Sequence, residues 1–303
     1  MGELVYVSFL IDCNWHGFSP LKPSSVFADV GYTVGTPEKI RILGDVKIAL
    51  ELVERSLGGK CNWSILSHPD QRYFLYQESF LDCWREAVRR GGELSLHPHE
   101  DIPGEGSRIK DTDHMRAVLE DLKNVMVRKG LSPNSFRSGY FGRNDELPSV
   151  LAELDLTVDY SSAPGYKEPS VESDWTGASP NGGFLRAGDA LSYGTGEMDD
   201  TGIFMIPLGW DGTGGKFTEN FLFNEAAEFG ALLSVYAAIC RRAEAEGPQF
   251  VQYLFHLSAM SEPRFVERVA DFTDHLLQND GVIVTGSEAR EIFQKGTRGA
   301  EIP

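Results

Sequence analysis

Two histidines lie two residues apart at the end of an apolar run, in the segment ELSLHPHEDIP (93–103). The chain has 303 residues and only seven histidines, so this pairing is unusual. Side chains alternate faces along a β-strand, so His97 and His99 would point the same way. Two imidazoles on one face form half of a metal site, which an acidic oxygen and a water would complete. Glu100 and Asp101 could orient an imidazole N–H or face solvent.

Three further segments place polar side chains at the ends of apolar runs. Asp12 follows an apolar strand in FLIDCNWHG, and Asn14 shares its face if the strand continues. Arg137 follows a phenylalanine in FRSGYFGRN, and His256 lies within the apolar run QYLFHLSAM. Each also has a structural explanation: a capping aspartate, a surface arginine, or a core histidine bonded to a backbone carbonyl. Strand C-termini open onto a ligand crevice in parallel α/β folds, so the four segments together predict one site.

Composition narrows the class of protein. The hydrophobic content of 41% with 24% charged residues is ordinary for a globular protein. A net charge of −17 argues against nucleic acid or an anionic membrane surface as the main partner, because both select for Lys and Arg. No apolar stretch reaches the length of a membrane span. The first apolar run is bracketed by Glu3 and Asp12 and does not open with the basic residues of a signal peptide. The four cysteines are scattered, with no Cys-x-x-Cys motif. Together these features predict a cytoplasmic protein with free thiols.

Short apolar runs alternate with amphipathic segments along the chain. This alternation favours a parallel sheet or barrel with helices outside. Residues 162–218 break the rhythm and predict a functional loop region with one good strand, IFMIP, after which a helix begins near Glu219. We predict a single domain over residues 1–303. The other predicted strands are 3–11, 61–66, 93–97, 135–141, 157–161, 250–257 and 281–286, and the other predicted helices are 37–57, 78–90, 112–129, 145–154, 265–276 and 288–293.

The order of these segments resembles the polysaccharide deacetylase family, the NodB-homology domain. VSFLIDCNW looks like the family's first motif, and FLDCWREAVRRGGELSLHPHED resembles the helix and strand that lead to the metal histidines. SFRSGYFGRNDELPSVLAELDLTVDYSS is similar to the arginine-tyrosine motif, and LFHLSAMSEPRFVERVADFTDHLL looks like the final motif. The resemblance implies a distorted (β/α) barrel, usually with seven strands.

The resemblance also implies roles for individual residues. Asp12 would be the general base, and Arg137 would hold it. His97 would be the first metal histidine, and His256 would be the general acid. The backbone N–H of Tyr140 would be a candidate donor to the oxyanion.

Two departures from the family pattern affect the metal site. The family usually has a second acid that binds metal, where this sequence has Cys13 and Asn14. The second metal histidine normally comes four residues after the first, where this sequence has Asp101; His99 stands halfway. A Cys13 thiolate would point away from Asp12. We therefore predict one divalent ion, zinc in the first place and otherwise cobalt, nickel or manganese, held by Asp12, His97 and His99 with Asn14 close by.

The predicted reaction is removal of an N-acyl group, in the first place acetyl, from an amino sugar. The predicted substrate is a small acylated sugar, a sugar nucleotide or a lipid-linked saccharide used for a surface polysaccharide. Trp15, Tyr140 and Trp210 are predicted to contact it. Two alternatives stay open. One is a metal-free or inactive carbohydrate-binding relative. The other is an amidohydrolase-type metal hydrolase, which is disfavoured because its histidine pair belongs to the first strand.

Overall fold

Strand β1 (Val5–Cys13) lies inside the main sheet of the computed structural model, which describes residues 5–15, 36–102, 106–194, 200–215 and 219–299. It pairs in parallel with β2 (Asn62–Ser67) on one side and with β13 (Gln249–His256) on the other. Every residue of β2 and β13 is buried, as expected for parallel strands covered on both faces. The strand predicted over 3–11 extends through Asp12 to Cys13, and residues 3 and 4 lie outside the described residues.

The sheet continues beyond β2 through parallel strands and ends in an antiparallel hairpin. A third neighbour of β1, β14 (Gly281–Ile283), brings the described strands of this sheet to ten, so the expected number of seven is not confirmed. The α/β class is confirmed. In spatial order the strands beyond β2 are β3 (Glu93–Pro98), β6 (Ser135–Phe136), β7 (Val158–Asp159), β12 (Asp200–Met205), β10 (Gly183–Arg186) and β11 (Asp189–Tyr193). A short hairpin of β4 (Asp101–Ile102) and β5 (Gly106–Ser107) forms a separate sheet.

The segment after β12 curls the sheet back toward β13. The Gln252 N–H donates to the Pro207 carbonyl at 2.8 Å, and the Gln252 carbonyl accepts from the Gly209 N–H at 3.0 Å. These bonds join the two ends of the parallel run, which gives the sheet its barrel-like form. The carboxyl ends of the strands consequently face one shared crevice.

Seven α-helices are described. Five of them match predicted ones closely, and a sixth, predicted over 288–293, is longer than expected. Helix α3 carries the predicted apolar face, with Met115, Leu119 and Leu122 buried. No described helix is long and apolar enough to cross a bilayer. The helices are α1 (Thr36–Leu57), α2 (Glu78–Arg89), α3 (Thr112–Arg128), α4 (Leu147–Glu153), α5 (Phe229–Glu246), α6 (Pro263–Gln278) and α7 (Gly286–Gly299).

Two predictions about the loop-rich region were wrong. The helix expected near Glu219 begins only at Phe229, because residues before it make bridges such as Trp210–Phe221 and Phe223–Leu254 at the edge of the barrel. Residues 162–218 also contain more strands than IFMIP, namely β10, β11 and a short hairpin of β8 (Lys167–Glu168) with β9 (Ser173–Asp174). Residues 195–199 and 216–218 of this region lie outside the described residues. The single domain over 1–303 stays a prediction.

Candidate active site

Asp12 lies at the carboxyl end of β1, where the register sets it beside His256 of β13. Its side chain is almost completely buried. The Asp12 Oδ2 atom is 3.4 Å from Arg137 Nη2. The same oxygen is 3.7 Å from His97 Nε2 and 3.8 Å from His256 Nε2. The structure thus brings together the four residues that the sequence placed at the ends of separate strands.

Arg137 holds the carboxylate from the end of β6. Its Nη1 donates to the Ser138 carbonyl at 2.8 Å, and its guanidinium carbon lies 3.6 Å from the centre of the Phe141 ring. Tyr140 and Phe141 both have positive φ, 52° and 55°, and this sharp turn follows a strand shorter than predicted. Burial by itself raises the pKa of Asp12, but the charges of His97, Arg137 and His256 bring it below its ordinary value. Asp12 is therefore ionised at neutral pH.

The histidine pair sits at the end of β3 with both rings buried. His97 Nδ1 lies 2.9 Å from the Arg137 carbonyl oxygen, to which it donates, so the lone pair of His97 is on Nε2. That Nε2 is 3.2 Å from His99 Nε2. Burial lowers the pKa of His97 to about 4 and the pKa of His99 well below its ordinary value. Both imidazoles are consequently neutral, and each has one ring nitrogen that carries a lone pair.

His256 is held in the opposite way, by a carboxylate. Its backbone N–H donates to Glu225 Oε1 at 2.9 Å, and its Nδ1 lies 3.3 Å from Glu225 Oε2. Its ring packs on Phe223, with centroids 5.3 Å apart. Burial lowers the pKa of His256, but the hydrogen bond and charge of Glu225, together with Asp12, raise it above its ordinary value. A histidine whose pKa is raised, beside a carboxylate whose pKa is lowered, provides a candidate acid and a candidate base in one site.

The histidine pair suits two positions of a metal ion. Zinc–nitrogen bonds of about 2.0–2.1 Å in a tetrahedron separate two ligands by ~3.3 Å, close to the 3.2 Å between the two Nε2 atoms. Asp12 Oδ1 has no hydrogen-bond partner among the described residues, so it is open to bind a metal ion. However, no group of three His, Cys, Asp or Glu side chains among the described residues is arranged to hold an ion. The histidine pair therefore fits two ligand positions of a metal ion, and no third ligand is in place beside it.

Asn14 and Cys13, which stand where the family has its second acid, make other contacts. Asn14 Oδ1 accepts a hydrogen bond from the Ser258 N–H at 3.1 Å, which ties the end of β1 to the turn after β13. Cys13 is buried, with Sγ 3.7 Å from the Ile11 carbonyl, and burial raises the pKa of its thiol well above the ordinary range. A thiolate at this position is thus disfavoured, whereas Asn14 as a metal neighbour stays a prediction.

Glu100 does not orient the histidine pair, and it does not face solvent. Its side chain is completely buried and forms a paired contact with Arg72, while Oε2 lies 2.7 Å from His114 Nε2. It anchors the end of the HPHED motif to the first turn of α3. The orientation of His97 comes instead from the Arg137 carbonyl. The side chain of Asp101 lies outside the described residues.

The three predicted substrate contacts have different surroundings. Trp15 is fully buried and packs edge-on against Phe74, with centroids 5.8 Å apart, so it presents no open face to a sugar. The Tyr140 ring lies edge-on to His99 at 4.3 Å and borders the histidine pair. Trp210 is partly exposed, and its Nε1 donates to the Thr213 carbonyl at 2.8 Å. Trp15 is therefore a core residue, and substrate contact by Tyr140 and Trp210 stays a prediction.

Three acidic or imidazole side chains near the site were missed. His68 follows strand β2 and Asp159 is the last residue of strand β7, so the strand-end signal used for Asp12 could have found them. Both are buried, and burial raises the pKa of Asp159 to about 6 although hydrogen bonds from Ser161 and the charge of Arg137 lower it. Glu225 lies in a turn without any periodic pattern, so its partnership with His256 had no signal in the sequence.

Comparison with known proteins rests on structure alone. No family model matches the sequence, and no curated protein does. A protein from Mycobacterium smegmatis assigned as a polysaccharide deacetylase aligns at a TM-score of 0.62 with 14% identity, over 98% of this chain and 92% of that one. A protein from Pseudomonas aeruginosa PAO1 with the same assignment aligns at 0.61 with 12% identity, over 97% and 92%.

A third solved structure, the PuuE allantoinase, aligns at a TM-score of 0.58 with 13% identity, over 95% of this chain and 90% of that one. Identities this low establish a shared fold and leave the reaction open. The expectation drawn from the order of the motifs is thus confirmed for the architecture. This chain has the fold of the polysaccharide deacetylases, as a divergent example of it.

Proposed function

We propose that this protein is a hydrolase of the deacetylase type that removes an N-acyl group, in the first place acetyl, from an amino sugar. The observation that carries the proposal is the pairing of Asp12 with His256 across 3.8 Å. Their neighbours lower the pKa of the carboxylate and raise the pKa of the imidazole, so that one favours the ionised form and the other the protonated form. Hydrolysis of an amide needs both groups, because water must lose a proton and the leaving amine must gain one.

Asp12 accepts the proton of the attacking water. Arg137 keeps the carboxylate charged and directs one oxygen, Oδ2, through the contact at 3.4 Å. His256 then gives a proton from Nε2 to the leaving nitrogen, while Glu225 holds its Nδ1. The Tyr140 backbone N–H remains the proposed donor to the oxyanion. This division assigns the base to β1 and the acid to β13, which are neighbouring strands.

A divalent ion, zinc in the first place, is part of the proposal. His97 and His99 would hold it through Nε2, and Asp12 would become the third ligand once its side chain approaches the pair, with Asn14 nearby. Such an ion would lower the pKa of a bound water and polarise the acyl carbonyl. An Asp12 that both binds metal and accepts a proton serves two roles, so we expect slow turnover.

The proposed substrate is a small acylated sugar, a sugar nucleotide or a lipid-linked saccharide, and the proposed location is cytoplasmic. Known structures with this fold include deacetylases and an allantoinase, so the screen should contain acetylated sugars and allantoin. Activity on long extracellular polymer with none on nucleotide or lipid-linked sugars would contradict the substrate proposal.

The second candidate is a metal-free or inactive carbohydrate-binding relative of the deacetylases. The observation in its favour is that, in the described residues, no third donor joins the histidine pair. In that case His97 and His99 would contact the sugar through hydrogen bonds. The amidohydrolase alternative has no such support, because the histidine pair lies at the end of β3 and not of the first strand.

The deciding experiment is metal analysis by plasma mass spectrometry combined with an acetate-release screen. Wild type and a His97→Ala/His99→Ala variant, purified without chelator, would be compared. About one ion per chain, lost in the variant together with activity, would support the proposed reaction. Acetate release without metal would contradict the metal part of the proposal and retain the reaction. Absence of both metal and hydrolysis on every substrate, even after metal is added back, would contradict the proposed reaction and support the second candidate.

A further inference from the structure

The acid His256 depends on a turn that lies outside any helix or strand. Residues 224–228, here called the acid turn, precede α5 and carry Glu225. Glu225 touches both the backbone N–H and the ring of His256. A turn is free to shift unless something fixes its backbone, so the position of Glu225 needs an anchor.

Arg268 of α6 supplies contacts on both sides of Glu225. Its Nη1 donates to the Asn224 carbonyl at 2.6 Å and to the Ala227 carbonyl at 2.5 Å. Its Nη2 reaches Glu228 Oε2 at 3.1 Å, at the residue that caps α5. The arginine side chain is only 9% exposed. One planar guanidinium thus bridges the whole acid turn.

Two neighbours complete the anchor. The Asn224 side chain donates from Nδ2 to the Phe265 carbonyl at 3.2 Å and accepts at Oδ1 from the Tyr253 hydroxyl at 2.9 Å. The guanidinium of Arg268 also lies 5.3 Å from the centre of the Phe265 ring. The acid turn is therefore tied to α6 and to β13, the strand that ends in His256.

We infer that Arg268 is a positioning residue, which fixes the acid turn so that Glu225 meets His256. A plain surface ion pair with Glu228 does not explain this burial, because Glu228 is 79% exposed and such pairs contribute little. Burying a guanidinium is costly unless its donors are used, and these donors go to the carbonyls that flank Glu225. The inference rests on the proposed function only for the role of His256 as the acid.

The test compares three variants of the full chain. Arg268→Met keeps the bulk of the stem and removes the donors. Tyr253→Phe removes one hydroxyl from the same anchor and is the milder change. Arg264→Met is the matched control, because Arg264 lies on the same helix, 4.4 Å from the Phe265 ring, but is exposed and pairs with Glu262.

The first readout needs no substrate. Hydrogen exchange of the His256 backbone amide, followed by mass spectrometry of the peptide that contains it, reports on its bond to Glu225. We expect exchange to be about tenfold faster in Arg268→Met, less affected in Tyr253→Phe and unchanged in Arg264→Met.

The second readout separates positioning of the acid from general damage. When an acylated amine is hydrolysed, the amine leaves only after it gains a proton. When an aryl acetate is hydrolysed, the phenolate leaves without one. We expect Arg268→Met to lose about tenfold in kcat on the acylated amine and to stay within about twofold on the aryl ester. Equal losses on the two substrates would overturn the inference.

Unchanged amide exchange in a folded Arg268→Met variant would also overturn it. If that variant does not fold, Tyr253→Phe decides: faster exchange at His256 supports the anchor, and wild-type exchange refutes it. If Arg268→Met loses protection at His256 but wild type has no hydrolase activity, the anchor is retained and the proposed reaction is rejected. The two failures are therefore distinguishable.

Discussion

The histidine pair on β3 and the single histidine on β13 lie on opposite sides of Asp12, and their charges differ. His97 donates to a backbone carbonyl, and burial takes its pKa to about 4. His256 is also buried, but the Glu225 carboxylate raises its pKa above the ordinary value. The same type of side chain therefore serves as a lone-pair donor at His97 and as an acid at His256.

Both rings are buried, so the partner of the Nδ1 atom is what distinguishes them. At His97 burial outweighs the raising effects of Asp12 and the carbonyl hydrogen bond on the pKa, so the ring is neutral. A carboxylate offsets that penalty, so the ring keeps its proton. Exchanging or removing one of these partners is the way to challenge the comparison.

The largest expected effect follows from removing the acid itself. We expect His256→Ala to lower kcat about 10³-fold, because proton donation to the leaving amine is lost. Bound metal, measured by plasma mass spectrometry, should be unchanged, whereas His97→Ala/His99→Ala should lose it. Parallel loss of metal and activity in His256→Ala would mean that the two sides of Asp12 do not differ in role.

A smaller effect is expected from removing the partner of His256. Wild type should show a bell-shaped profile of kcat/KM, which reports the free enzyme. Asp12 should be ionised to below pH 3.8 and His256 protonated to above pH 6.5, since their pKa values are shifted in those directions. Glu225→Gln removes the charge that raises the pKa of His256, so the alkaline limb should move to lower pH. We expect kcat at neutral pH to fall about tenfold.

The control for that change is Glu262→Gln, which alters an exposed carboxylate paired with Arg264. Its pH profile should match wild type. An alkaline limb that stays in place in Glu225→Gln would show that the carboxylate does not set the charge of His256.

On the other side of the site, Asn14→Asp should strengthen metal binding. The new carboxylate can keep the hydrogen bond from the Ser258 N–H and adds a negative charge where the family has its second acid. We expect metal affinity to rise about tenfold, measured by competition with a chelator, because affinity follows the charge of the ligand set. No gain in affinity would argue that the histidine pair does not serve a metal.

Much of the fold could be predicted from periodicity. Helices such as α1 and α3 have long apolar stripes, and β2, β3 and β13 are short segments rich in apolar residues, so their positions agreed within a few residues. The short strands β8–β11 could not be found, because two to five residues with many glycines nearby give no readable period.

The site was predictable where its residues follow strands and unpredictable where they do not. Asp12, His97, Arg137 and His256 end apolar runs, so their convergence follows from parallel strand topology. Glu225 and Arg268 lie in a turn and on a helix, and only tertiary packing brings them to His256. Glu100 shows the converse error, since closeness in sequence suggested a contact with the histidine pair, whereas its carboxylate contacts Arg72 and His114.

The Phe141 ring that covers the Arg137 guanidinium at 3.6 Å has a consequence for ionic strength. Dissolved ions cannot approach the buried Arg137–Asp12 pair, so we expect kcat to change by less than about twofold between dilute and concentrated salt. The protein as a whole carries a net charge of −17, which repels an anionic sugar nucleotide in dilute buffer. Added salt should therefore raise kcat/KM for such a substrate and leave a neutral sugar unaffected, because the ions act on the encounter and not on the chemistry.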